Sequence, residues 1–201
     1  MPKIVDHEKQ RQLVADAAIR LIKKGGLEHA TVRNIAVEAG LSVGSMRHYF
    51  STQADLFTFC MNIFIKRVQE RVRNTDMDND LFANDPFTGL QAILMEFIPF
   101  DEDRKMEMEV WLSFTAKTLV HPGLQAVSEQ MYEGIRGVVK FVLEQLTVYK
   151  LAKPNLNLAL ETYKLSALMD GLAVHLITQP GHVTHAMAEQ IINEHLRSLC
   201  I

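Results

Sequence analysis

Cysteine is scarce: Cys60 and Cys200 are the only two in 201 residues. Two thiols are too few for a zinc cluster, and they argue against a disulfide scaffold or an oxidising compartment. Charges interrupt every hydrophobic stretch well before the roughly 20 residues that a membrane helix needs. The opening M-P-K-I-V-D-H-E-K lacks the apolar segment of a secretory signal. Alternating strand patterns, internal repeats and low-complexity segments are missing too. No Walker or dinucleotide glycine pattern occurs, and no G-x-S-x-G elbow surrounds a serine. The remaining composition is ordinary, 48% apolar and 22% charged, and the length allows a substantial core. A soluble cytoplasmic protein with no cofactor and no membrane partner is expected.

The net charge of −3 hides an asymmetry. Residues 1–50 carry eight Lys/Arg against five Asp/Glu, a net of +3, which leaves −6 for the rest. A mildly basic head on an acidic body suits a polyanion-binding module joined to another domain.

The hydrophobic spacing is helical almost throughout. Residues 6–24 set Leu13, Ala17 and Leu21 beside Val14, Ala18 and Ile22 in one apolar stripe. Gly25-Gly26 ends that helix. Thr31 caps a second, with Val32, Ile35, Ala36 and Ala39 at i, i+3, i+4 and i+7. Gly40 closes it, tolerating the left-handed backbone of a tight turn. Ser42 caps a third segment, Val43 to about His48, with Met46, Tyr49 and Phe50 as its apolar face. A long helix from about Thr52 to Arg73 follows, and residues 74–85 read as a polar loop. Pro86 suits the first turn of the next helix, which ends near Pro99. Further helices cover roughly 103–119, 123–149, 155–178 and 184–199. The fold class is all-α, with about nine helices.

Two short helices joined by a tight turn at Gly40 make a helix-turn-helix pattern. Ala36 is small where the helices cross, and Ile35 and Met46 lock them together. The outward set on the third segment is Val43, Gly44, Ser45, Arg47 and His48. It is short, polar and open to close backbone approach, as a helix entering the major groove requires. A plain three-helix bundle with a glycine turn is the alternative.

The stretch A-T-V-R-N-I-A-V-E-A-G-L-S-V-G-S-M-R-H-Y-F resembles the DNA-binding signature of the TetR family of transcriptional regulators, over about residues 6–60. The likeness rests on the threonine before the second helix, the I-A pair, the A-G-L-S turn, the recognition-helix glycine and the closing Tyr49-Phe50. The R-H-Y-F ending resembles the BetI- and PksA-type subset. The resemblance implies an all-α homodimer that binds palindromic operators in double-stranded DNA and senses a small molecule. It implies a DNA-binding domain at 1–50 and a ligand-sensing and dimerisation domain at 51–201.

Site residues follow from the same resemblance. Thr31 matches a phosphate-contacting position, and Arg33 one that reaches a base, where an arginine fork fits the O6/N7 edge of guanine. Ser42, Val43, Gly44 and Ser45 lie in the turn and base-reading segment. Arg47, His48 and Tyr49 match positions that hold phosphates or the groove edge. The chain departs from the pattern twice. The family often has tyrosine where Arg47 stands, and lysine where Gln53 opens the fourth helix. Losing that lysine removes one phosphate contact per subunit, which Arg47 is placed to replace.

In the body, Phe97, Met108, Trp111 and Tyr132 supply soft and aromatic surface, with Glu109 and His175 as polar partners. These six are the candidate effector contacts, since a sensor needs an apolar pocket with a few polar groups. An acid beside aromatics suits a cationic ligand. The same spacing also reads as plain core, and Glu109 as a solvent residue. The helices at about 155–178 and 184–199 share a broad apolar face with Leu160, Tyr163, Ala167 and Gly171. Paired with their copies they would form a four-helix bundle across a two-fold axis. That symmetry sets two recognition helices about 34–36 Å apart.

Catalysis finds little support. Ser166, Asp170 and His175 are close in the chain, yet Asp170 to His175 is not a same-face helical spacing. His182-x-x-His185, with His195 as a distant third, lacks any accompanying HExxH or CxxC. Neither catalytic residues nor a metal site is expected. The expected function is a ligand-responsive repressor released from DNA by a small molecule. An activator, a helical carrier or enzyme with a vestigial head, and a protein adaptor remain the alternatives.

Overall fold

The computed structural model describes residues 7–46, 50–76 and 79–201. They contain ten α-helices, two 3-10 turns, and an isolated bridge between Ala152 and Cys200 in place of any named strand. Each expected helix is present, and its ends follow from local chemistry. α1 (His7–Gly25) stops where Gly26 takes φ 71° and donates its N–H to the Ile22 carbonyl at 2.8 Å. A 3-10 turn (Leu27–His29) leads into α2 (Val32–Glu38), then α3 (Val43–Met46) and α4 (Gln53–Asp76). α4 begins with a reciprocal cap. Thr52 Oγ1 accepts from the Asp55 N–H at 3.1 Å, and the Asp55 carboxylate accepts from the Thr52 N–H at 2.9 Å. The Ser51 hydroxyl, donating to the same carboxylate, holds Asp55 below the usual aspartate pKa.

The stretch expected to be a polar loop is a correction. α4 continues to Asp76, and a further helix, α5 (Asn79–Asn84), forms within it. The cause is tertiary. Phe82 packs on the body core and lies against Gly89 of α6 (Pro86–Met95), so close that a Cβ there would meet its ring at 2.9 Å. The Asp85 side chain caps α6 by accepting from the Phe87 and Thr88 N–H groups. The chain continues through α7 (Glu102–Thr118), a 3-10 turn (Pro122–Leu124), α8 (Gln125–Val148), α9 (Leu158–Thr178) and α10 (His185–Ser198).

By packing, the chain divides into two compact units, Met1–Ile65 with Glu109–Ser128, and Lys66–Met108 with Glu129–Ile201. The boundary expected from the sequence lies at residue 50. Packing divides elsewhere because α4 and α7 each contribute residues to both units. In the first unit Ile35, Ala36, Met46, Leu56, Phe64 and Phe114 are buried. The core of the second joins Leu90, Ile93 and Leu94 of α6 to Val142 and Leu143 of α8, Leu165 of α9, and Ile192 and Leu196 of α10.

The second unit also holds a largely buried ion network. Arg71 on α4 grips both oxygens of Glu107 on α7, at 3.0 and 2.7 Å, and lies 3.2 Å from Glu96. Arg104 reaches the same Glu96 oxygen at 3.1 Å and donates to the Met95 carbonyl at the end of α6. Among the described residues, no helix is long and apolar enough to cross a membrane.

Candidate nucleic-acid interface and effector site

The turn between α2 and α3 is set by three local features. Thr31 Oγ1 accepts from the Asn34 N–H at 3.1 Å and starts α2. At its end, the Gly40 N–H donates to the Val37 carbonyl and the Leu41 N–H to the Ala36 carbonyl, at 3.2 and 2.8 Å. This paired bonding is a Schellman motif, and it needs the left-handed φ of 68° that Gly40 adopts. Ser42 Oγ then accepts from the Ser45 N–H at 3.0 Å and starts α3. Ile35, Ala36 and Met46, each 0% exposed, are the buried residues that the α2–α3 pair turns inward.

Opposite that lock, Arg33, Ser42, Val43 and Gly44 are exposed, while Thr31 and Ser45 are half-buried. Arg33 has no hydrogen-bond or ion-pair partner among the described residues. The geometry therefore offers a free guanidinium, the three hydroxyls of Thr31, Ser42 and Ser45, and an open backbone around one short helix. Such a surface can hold phosphates and reach base edges. Arg47, His48 and Tyr49 lie outside the described residues. Behind the turn, Arg20 of α1 donates to Glu38 of α2 at 2.6 Å, with Lys24 at 3.9 Å. The Arg20 hydrogen bond keeps Glu38 below the ordinary glutamate pKa, so the α1–α2 tie stays ionised at neutral pH.

The six candidate effector contacts do not share one environment. Phe97 and Met108 are half-buried in the second unit, and Trp111 is half-buried in the first. Glu109 and His175 are exposed, and Tyr132 is half-exposed. The Tyr132 ring already carries a cation, the Arg136 guanidinium 5.6 Å from its centroid, and Arg136 also stacks on Tyr163 at 5.2 Å. The buried carboxylate of α7 is Glu107, held by Arg71, rather than Glu109. In K-M-E-M-E the charges alternate every second residue, so no helical stripe singles out either glutamate.

Two polar groups that the effector reading passed over stand out instead. Ser166 is buried, and its hydroxyl has no hydrogen-bond partner among the described residues. Asp170, one turn along α9, is half-buried, has no hydrogen bond or ion pair among the described residues, and burial pushes its carboxyl above the usual aspartate pKa. Their i, i+4 spacing was legible in the sequence, but the missing partners were not. A raised carboxyl pKa means that the folded state disfavours the charge, so folding loses stability as pH rises through the normal aspartate range. Asp170→Asn is therefore expected to raise the melting temperature by about 2–4 °C at pH 7. The gain disappears at about pH 3, where aspartate is protonated in both states. Thermal melts of both proteins at the two pH values check this.

Among the described residues, no group of three His, Cys, Asp or Glu side chains is placed to hold a metal ion.

Comparison with known proteins adds a second line of evidence. Residues 14–58 match the family described as bacterial regulatory proteins, tetR family, and residues 86–201 the one described as BetI-type transcriptional repressor, C-terminal. The HTH-type transcriptional regulator PksA of Bacillus subtilis is 39% identical, over 100% of this chain and 95% of its own length. The HTH-type regulator BetI of Serratia proteamaculans is 26% identical, over 98% and 95%. Among solved structures, a putative transcriptional regulator from Saccharomonospora viridis in complex with choline superposes with TM-score 0.78. That likeness covers 93% of this chain and 95% of that one at 18% identity, and it bears on the fold.

Proposed function

This chain belongs to the TetR family, in its BetI/PksA-type subset, and from that premise we propose that it is a homodimeric repressor of a palindromic operator, released by a small molecule. It is a DNA-binding transcriptional regulator with a ligand-binding domain, not an enzyme. The observation that carries the finer reading is the α2–Gly40–α3 surface, with the exposed Arg33, Val43 and Gly44 set on a buried lock. Thr31, Ser42 and Ser45 complete the proposed contact set, with Arg47, His48 and Tyr49 beyond it.

Two-fold pairing is supported by the outward faces of the last two helices. On α9, Leu160 and Tyr163 are 49% and 50% exposed, and the small Ala167 and Gly171 follow at one-turn spacing. On α10, Met187 is 45% exposed. Exposed apolar side chains interleaved with small residues suit close helix contact with a second copy. A two-fold dimer in turn matches a palindromic site.

The effector we propose is a small organic cation. Asp170 is a carboxylate without a countercharge, beside an unpartnered Ser166 hydroxyl, and Phe97 and Met108 lie in the same unit. A cation binding there would recover the charge pairing that the fold leaves open. A regulator of the same fold is known with choline bound.

The test is fluorescence-anisotropy binding to duplexes tiled across the DNA upstream of the protein's own gene, at several salt concentrations. One tight palindromic fragment with a steep salt slope supports the repressor reading. No binding at low salt by a folded dimer would overturn it. Choline, tetramethylammonium and ethidium, titrated into the complex, test the cation. Release by at least one, and its loss in Asp170→Asn, is expected, whereas release that persists in Asp170→Asn refutes the assignment.

A further inference from the structure

The first compact unit contains more than the helix-turn-helix. Residues Glu109–Ser128, the end of α7 and the start of α8, pack within it. Val110 and Phe114 are each 1% exposed and Leu124 is 0% exposed, so this segment belongs to the same packed unit as the head. A charged side chain reaches from it to the head. Lys117, in the last turn of α7, forms an ion pair through Nζ with Glu28, and the same ammonium sits 4.9 Å from the centre of the Phe57 ring.

Both partners occupy sensitive places. Glu28 lies in the 3-10 turn that feeds α2, three residues before the Thr31 cap. Phe57 is a buried residue in the first turns of α4, the helix that follows the recognition segment. A single ammonium therefore touches the entry to the helix-turn-helix and the exit from it. Only 20% of the Lys117 side chain is exposed, and both of its contacts are internal. It is engaged by protein rather than held free for phosphate.

We propose that Lys117 is a positioning residue for DNA binding, and that it pins the head to the end of α7 so that the α2 entry and the α4 exit keep a fixed relation. The inference rests on the operator-binding reading above. α7 is fastened to α4 by a cation in each unit, Lys117 over Phe57 in the first and Arg71 on Glu107 in the second. The lysine pin is the one that also holds the turn before α2. Its strength suits orientation rather than folding. Glu28 is 69% exposed, and an ion pair this open is worth a factor of about two to five in an equilibrium. A dimer that must seat two heads on one palindrome feels that factor twice, about tenfold in all.

The experiment uses the full chain and a palindromic duplex selected from random DNA by the wild-type protein. It compares the affinities of Lys117→Met, Lys117→Arg and Glu28→Gln for the palindrome and for an isolated half-site. Lys117→Met is expected to bind the palindrome about tenfold more weakly and an isolated half-site about threefold more weakly, with an unchanged circular-dichroism spectrum. Glu28→Gln gives the same pattern, the double variant is no worse than either single one, and Lys117→Arg stays near wild type. The proposal is overturned if palindrome and half-site binding fall by the same factor, if neither changes, or if the two single losses add. If the wild-type protein selects no palindrome at all, the operator-binding reading fails, and this failure is distinct because it precedes any variant.

Discussion

Replacing Gly44 with aspartate is expected to lower operator affinity at least 100-fold at about 150 mM salt and to leave the fold unchanged. Gly44 is exposed on α3, and its backbone lies outside the left-handed region. Among the described residues, a Cβ placed there meets only Ser42 Oγ, at an ordinary 3.8 Å. The described residues therefore leave room for a side chain, and the proposed DNA partner would object to it. A carboxylate on this surface would face phosphates and the acceptor atoms that line the major groove. Like-charge juxtaposition across an interface costs several kcal/mol, and each 1.4 kcal/mol is about tenfold in affinity. Two heads per operator double the effect. Anisotropy with the selected duplex measures the loss, and a thermal melt checks that the head stays folded. Binding within threefold of wild type would remove the Val43–Ser45 surface from the DNA interface.

The second large effect concerns stability. Arg71→Ala is expected to destabilise the protein by about 3–5 kcal/mol, a fall of roughly 10 °C in melting temperature. Glu107 is 8% exposed and bonded through both oxygens to Arg71, so removing the arginine strands a carboxylate away from water. Burial disfavours the charge on Arg71, but the Glu107 bond and the nearby charges of Glu107, Glu96 and Asp101 outweigh it. The guanidinium pKa is thereby raised above the ordinary arginine value. The pair is costly to break rather than stabilising in its own right. The double replacement Arg71→Met with Glu107→Leu is therefore expected to recover most of the loss. Calorimetric melts of the single and double variants separate the two statements. A double variant as unstable as Arg71→Ala would mean that the network itself, and not the orphaned charge, carries the stability.

Legibility in the sequence followed locality. The Thr31 cap, the Gly40 turn and the Ser42 cap are visible because each needs one residue type at one offset, and the partner is a backbone group three to five residues away. The helical stripe of α1 is visible for the same reason, since burial on one face repeats every turn. α5 was hidden because its anchor, Phe82, is one aromatic in a polar run, and the surface it meets at Gly89 lies on the next helix. On α7 the alternating charges left open which glutamate is buried. Contact with Arg71, 36 residues earlier in the chain, resolves it.

By itself, then, the sequence determined every helix but α5, the stop of α1, the helix-turn-helix and the family, written mostly in spacings shorter than two helical turns. Only the tertiary structure decided which charges find partners. It paired Arg71 with Glu107 and Lys117 with Glu28, and it left Asp170 and Ser166 without partners among the described residues. The physical reason is that a backbone cap is satisfied within its own turn. A side-chain charge is satisfied, or stranded, by whatever distant helix the packing of the core brings beside it.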